Sequence, residues 1–219
     1  MFPWEHAAVA YLLYAGYARW HDGTAPAGWA VLVVLFASQL PDLIDKPLAW
    51  QFGLLPSGRA LAHSVFVAVP LVVVVFALAR RHDTPSLGIA FAIGYLSHLA
   101  TDAVPLYPGG SVSLESVLWP VMIYRSSTER VDDSSSAAGE SAGTEASGGV
   151  FEQTADILLG AYPSLVALEP TGADLVGFGI VVLAGLVWLY DGRPGIRELG
   201  HVIRRTGVVI RSWSAWNRP

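Results

Sequence analysis

His98 and Asp102 stand four residues apart in GYLSHLATDAVP (94–105), near the end of a stretch that is otherwise apolar. Residues at i and i+4 share one face of a helix, so this imidazole and carboxylate can hold one ion or bind adjacent ones. Taken alone, the pair equally describes a hydrogen-bonded His–Asp contact. The rest of the chain enlarges the set. His6 lies near the N-terminus, Asp42 and Asp45 lie in LPDLIDKP, and His63 lies in GRALAHS, four residues after Arg59. Imidazole and carboxylate together suit zinc, manganese or iron. The chain has no cysteine, which excludes disulfides and thiolate metal sites.

Something must carry these groups to one place, and the composition says what. Of 219 residues, 53% are hydrophobic and 14% charged, with a mean hydropathy of +0.47. The apolar residues cluster in blocks, as in an integral membrane protein. Five spans are predicted, at about 6–20, 27–41, 60–79, 85–102 and 173–190. The third contains VFVAVPLVVVVFALA and the fifth LVGFGIVVLAGLVWLY. The first two are short against the ~20 residues of a full crossing. Pro70 falls inside the third, which membrane helices tolerate when neighbours satisfy the freed carbonyl. The N-terminus, MFPWEH, lacks the basic region of a cleavable signal peptide.

The fold class expected is all-α: a polytopic membrane helix bundle of about five transmembrane helices, with a disordered outer loop insert and a C-terminal amphipathic helix. Residues 1–125 form the helical core. Residues 126–150, rich in Ser, Gly, Ala and Glu without periodicity, form the insert. Residues 151–192 comprise an interfacial segment and the last span. Residues 112–124 read as a second interfacial or bundle-covering piece. In the tail, 193–219, Arg197, Arg204, Arg211 and Arg218 recur every seven residues beside an apolar stripe, the pattern of a basic helix lying on an anionic leaflet.

Alternating crossings bring His6, Asp42, Asp45, His63, His98 and Asp102 to one membrane face. Lys and Arg divide nine to four in favour of the other face, which carries the tail; that side is predicted to be cytoplasmic, leaving the N-terminus and the polar cluster outside. His21, His82 and His201 fall on the cytoplasmic side and read as surface residues. Each ionisable group at the centre of a bilayer costs about 2.5–3.5 kcal/mol on insertion scales. Convergence of three histidines with aspartates is more easily explained by a bound ion than by chance.

The segments LPDLID (40–45), RALAHS (59–64) and GYLSHLATD (94–102), following His6 and preceding LWP (118–120), resemble the YdjM-like family of membrane-bound metal-dependent hydrolases over roughly residues 4–124. The resemblance implies metal ligands at His6, Asp42, His63, His98 and Asp102. There are two departures. The family's second aspartate usually follows the first by two residues, whereas Asp45 follows Asp42 by three. The histidine that usually precedes the arginine is Gly58 here. More distantly, the order His, Asp, His, HxxxD looks like the first half of the helical zinc phospholipase C and P1-type nuclease site. Their downstream histidines have no counterpart facing the cluster, so one or two ions are expected rather than three.

The chemistry expected is hydrolysis of an ester or phosphodiester of a lipid or lipid-linked substrate, with zinc the first candidate and manganese the second. A bound ion lowers the pKa of water from 15.7 toward ~7. Asp42 or Asp45 would orient that water or act as base, and Arg59 would hold an anionic group. The bilayer is the expected partner, and nucleic acid is not. Two other classes share these features. A divalent-metal transporter would also place His and Asp in a bundle, and a non-enzymatic membrane adaptor would use the insert and tail for partners.

Overall fold

The computed structural model describes residues 2–104, 106, 111–122 and 171–204. Among these residues the chain is helical, without strands. There are five long helices: α1 (Pro3–His21), α2 (Gly28–Trp50), α3 (Val65–Arg81), α4 (Pro85–Ala103) and α5 (Gly172–Tyr190). A further helix starts at 196 and continues to the edge of the described residues at 204. Arg211 and Arg218, the expected insert and the segment 151–168 lie outside the described residues.

Local sequence explains where the helices begin. Pro3 and Pro85 occupy first-turn positions of α1 and α4, where a missing N–H costs nothing. Glu5 caps α1 by accepting from Phe2 N at 2.8 Å. Ser64 caps α3, its Oγ accepting from Phe66 N. The second element differs from expectation. Instead of ending near 41, α2 runs on to Trp50 through Pro41 and Pro47, so Asp42 and Asp45 sit inside a helix rather than at its end. Proline removes one backbone donor and crowds one turn, but neighbouring helices can keep such a helix intact.

Of the five spans expected, α2 (23 residues) and α5 (19 residues) are long and apolar enough to cross a membrane. The other three are shorter or carry more polar side chains; α3 has 17 residues. Valines and leucines remain on the outer surface of α3 (Val69, Val73, Val74, Leu78) and of α5 (Phe178, Val182, Leu183, Leu186), surfaces suited to lipid rather than water.

The centre of the bundle is α4, which packs on α1, α2 and α3, its contact with α2 being the most extensive. Gly94 makes that contact possible. A Cβ there would collide with the Val34 carbonyl and lie 3.0 Å from Ala37 Cβ and 3.2 Å from Ser38 N. Gly94→Ala is therefore expected to push α4 away from α2, destabilise the bundle by about 1–3 kcal/mol, and weaken metal binding, read by thermal melting and by metal content. An unchanged melting temperature would show that the helices give way without cost. At the opposite end from the polar cluster, Tyr11 Oη donates to Asp191 at 2.5 Å and Arg19 pairs with the same carboxylate, tying α5 to α1.

Candidate metal centre

Four chain segments deliver the cluster. His6 comes from the first turns of α1, and Asp42 and Asp45 from the second half of α2. Arg59 and His63 come from the 51–64 connection, and His98 and Asp102 from the end of α4. Residues 111–122 brace it: Val65 N donates to the Val117 carbonyl, and Ser64 Oγ to the Trp119 carbonyl at 2.5 Å. LWP thereby fixes the start of α3, directly behind His63. The histidine side chains, Asp45 and Asp102 are at most 2% exposed, and Asp42 is 14% exposed.

Each imidazole is held by Nδ1, which leaves Nε2 to point inward. His98 Nδ1 donates to the Ser38 carbonyl at 2.6 Å. His63 Nδ1 donates to Asp45 Oδ2 at 2.8 Å. His6 Nδ1 lies 2.8 Å from Thr101 Oγ1, whose own hydrogen is committed to the Ser97 or His98 carbonyl. The acceptors thus assign Nδ1–H to all three rings. A carbonyl, carboxylate or hydroxyl behind Nδ1 is the usual device for orienting a metal-binding histidine.

The inward atoms have the spacing of a coordination shell. His63 Nε2 and His98 Nε2 are 3.2 Å apart. Asp42 Oδ1 lies 3.6 Å from the first and 3.8 Å from the second. Asp102 Oδ2 lies 3.5 and 3.7 Å from the same two atoms. A tetrahedron with metal–ligand bonds of ~2.0–2.1 Å has edges of ~3.3 Å, so small movements would close Asp42, His63 and His98, whose donors lie within 4.8 Å of one another, on one ion. His6 Nε2 lies 3.2 Å from the other Asp102 oxygen, and His6, His98 and Asp102 form a second set with donors within 4.8 Å of one another. His98 belongs to both sets, and Asp102 reaches from the second toward His63 of the first.

Electrostatics point the same way. Among the described residues, neither Asp102 oxygen receives a hydrogen bond although both are buried; Arg59 Nε is 3.2 Å from Oδ2 without donating to it. A buried carboxylate without donors is costly unless it is paired or binds a cation. His63, in the 51–64 connection, reports the local potential. Burial alone would lower its pKa, but the nearby carboxylates of Asp102 and Asp42 and the hydrogen bond to Asp45 outweigh that and raise it to about 10. A divalent ion bound at Nε2 must displace that proton. Apparent metal affinity is therefore expected to rise by about tenfold per pH unit for each proton displaced, up to about pH 10. Competition with a chromogenic chelator at several pH values measures this; a pH-independent affinity would place the ion away from His63.

The residues expected at the site from the sequence are thus brought together: His6, Asp42, His63, His98 and Asp102 in two overlapping sets, and Arg59 at their edge. Asp45 sits behind it. Its oxygens accept from the backbone of Ala60 (2.8 Å), Ala62 (2.8 and 3.0 Å) and His63 (3.2 Å), and from His63 Nδ1. His21, His82 and His201 are exposed and stand apart. Three supporting groups escaped sequence reasoning: Thr101, the Ser38 carbonyl and Lys46. Lys46 Nζ pairs with Asp42 Oδ2 at 2.6 Å; its i+4 spacing from Asp42 was the available signal.

No curated protein and no solved structure matches the chain. The sequence model described as "YdjM inner membrane protein" matches residues 1–137, which include every residue of the cluster. The chain belongs to the YdjM inner membrane protein family.

Proposed function

We propose that this protein is a membrane-embedded, metal-dependent hydrolase cleaving an ester or phosphodiester bond of a lipid or lipid-linked substrate. The observation that carries this reading is the donor set: three imidazole Nε2 atoms, each oriented from behind, facing two carboxylates, one of which has no hydrogen-bond donor. Nitrogen and oxygen donors at this spacing suit zinc first and manganese second, with one or two ions. A divalent ion in such a shell supplies Lewis acidity and a nucleophilic water near neutral pH.

The chain's own groups divide the remaining work. Asp42 is the most accessible carboxylate of the shell and the better placed to orient a water or accept its proton. Asp45, saturated by N–H donors, positions His63 and the 51–64 connection instead. In this reading all five helices cross the membrane, with the N-terminus and the cluster outside and the C-terminus cytoplasmic, following the division of arginines. Below the cluster the core of α1, α2 and α4 consists of Ala10, Tyr14, Ala30, Val34 and Ala90.

The test is turnover. Zinc-loaded protein in detergent, given bis(p-nitrophenyl) phosphate, p-nitrophenyl esters and phospholipid mixed micelles, is expected to hydrolyse at least one of them and to stop on chelation. Metal-loaded protein inert to all three classes would overturn the hydrolase and leave the adaptor, with the ion in a structural role.

A further inference from the structure

A cavity of about 460 Å³ opens beside the centre. Two of its lining side chains, Lys46 and Arg59, are also those that touch shell carboxylates: Lys46 on Asp42 and Arg59 on Asp102. Both are about one-third exposed (35% and 36%), unlike the buried histidines behind them. Trp50, Leu55 and Pro56 supply an apolar wall, and Lys46 Nζ lies 6.0 Å from the Trp50 ring centre. Gly58 lets the connection lie against α2. A Cβ there would approach Trp50 Cζ2 to 3.1 Å and Lys46 Cγ to 3.3 Å. Trp50 and its sequence neighbours Phe52 and Leu54 are 72%, 66% and 71% exposed.

Charge decides what this cavity takes. With His63 neutral, as it must be to hold an ion, Asp42, Asp45 and Asp102 carry three negative charges and Lys46 and Arg59 two positive ones, so the cluster is one unit negative before the ion itself is counted. One divalent ion in the shell makes it one unit positive. A divalent ion held by Asp42 and Asp102 would offset their charge, leaving the faces of Lys46 and Arg59 that line the cavity open to an anion. An ammonium and a guanidinium facing one cavity suit phosphate oxygens.

We propose that this cavity is the substrate-binding site and that it takes an amphiphilic phosphate, with the phosphoryl oxygens between Lys46 and Arg59 and the alkyl chain along Trp50, Leu55 and Pro56 toward the exposed Phe52 and Leu54. The assignment rests on the hydrolase reading of the adjacent centre. It places the phosphoryl group on the two cations that pair with Asp42 and Asp102 and gives the lipid preference to the 50–58 stretch rather than to the shell.

Calorimetric titration of the zinc-loaded protein in an uncharged maltoside detergent tests it, using hexyl phosphate, inorganic phosphate and hexyl glucoside as probes. Hexyl phosphate is expected to bind at least about tenfold more tightly than either of the others. Lys46→Gln and Arg59→Gln should each weaken it by about tenfold with zinc content unchanged, and Leu55→Ser should weaken hexyl phosphate but not inorganic phosphate. If a Gln variant loses zinc, the charge-retaining Lys46→Arg and Arg59→Lys decide in its place, each expected to stay within a few-fold of the parent. Equal binding of inorganic phosphate would overturn the amphiphile, and equal binding of hexyl glucoside would overturn the cationic clamp. A zinc-loaded protein showing either result refutes the cavity assignment alone. A protein that takes up no divalent metal refutes the hydrolase reading and the charge argument with it.

Discussion

His98→Asn is expected to empty the metal centre while leaving the bundle folded. The side-chain amide of asparagine can still donate to the Ser38 carbonyl, the bond that His98 Nδ1 makes at 2.6 Å, so the tie between α4 and α2 survives. What disappears is Nε2, the atom common to both candidate ligand sets. Bound zinc should fall below about one-tenth of the wild-type value and hydrolysis should fall with it, since the chemistry depends on the ion. His98→Ala should also lose the ion but with a folding cost, because a fully buried ring is replaced by a cavity. The pair separates ligation from packing. Full metal content in His98→Asn would mean that the ion, if present, sits elsewhere.

The second large effect concerns Asp45, which the sequence offered as a catalytic group and the structure surrounds with N–H donors. Asp45→Ala leaves the amides of Ala60, Ala62 and His63 buried without their acceptor. A buried polar group stranded in this way costs about 1–3 kcal/mol, so a total on the order of 3–6 kcal/mol is expected. His63 also loses the carboxylate behind Nδ1, a change that typically costs about 10–100-fold in metal affinity. Melting temperature and chelator competition measure the two losses separately. If Asp45 were instead the base, Asp45→Ala would lose turnover while keeping its melting temperature and its metal, and the positioning role would be wrong.

Much of this site was legible because its ligands are side chains with few uses inside an apolar bundle. His6, His63, His98 and Asp102 stand out against alanine and leucine, and alternating helix direction is enough to bring them to one end. The i, i+4 spacing of His98 and Asp102 made their shared face certain once a helix was assumed. Asp42 and Asp45 were harder. The two prolines of LPDLIDKP read as a helix end, and only packing against α1 and α4 shows that α2 continues. Within a helix, three residues turn the chain by about 300°, about 60° short of a full turn, so both carboxylates lie on the same side of α2: Asp42 reaches the inward Nε2 atoms, and Asp45 reaches His63 Nδ1 and the amides of the 51–64 connection.

The supporting groups were invisible for a different reason. The Ser38 carbonyl orients His98 by a backbone atom, and a backbone atom leaves no mark in composition or spacing. Thr101 looked like filler between two interesting residues; its hydroxyl acts only because the His6 ring reaches it from another helix. In the sequence Lys46 counts only as one of the four charges on the outer face. The cavity it shares with Arg59 depends on how the 51–64 connection folds back, which no local pattern specifies.

Elemental mass spectrometry of the purified, detergent-solubilised protein tests the central claim most directly, with a His63→Ala/His98→Ala double variant measured in parallel. The expected result is about one or two equivalents of zinc or manganese per chain, absent from the variant. A wild-type protein that stays metal-free after supplementation with both ions would contradict the account, and the buried histidines and aspartates would then be a hydrogen-bonded structural cluster.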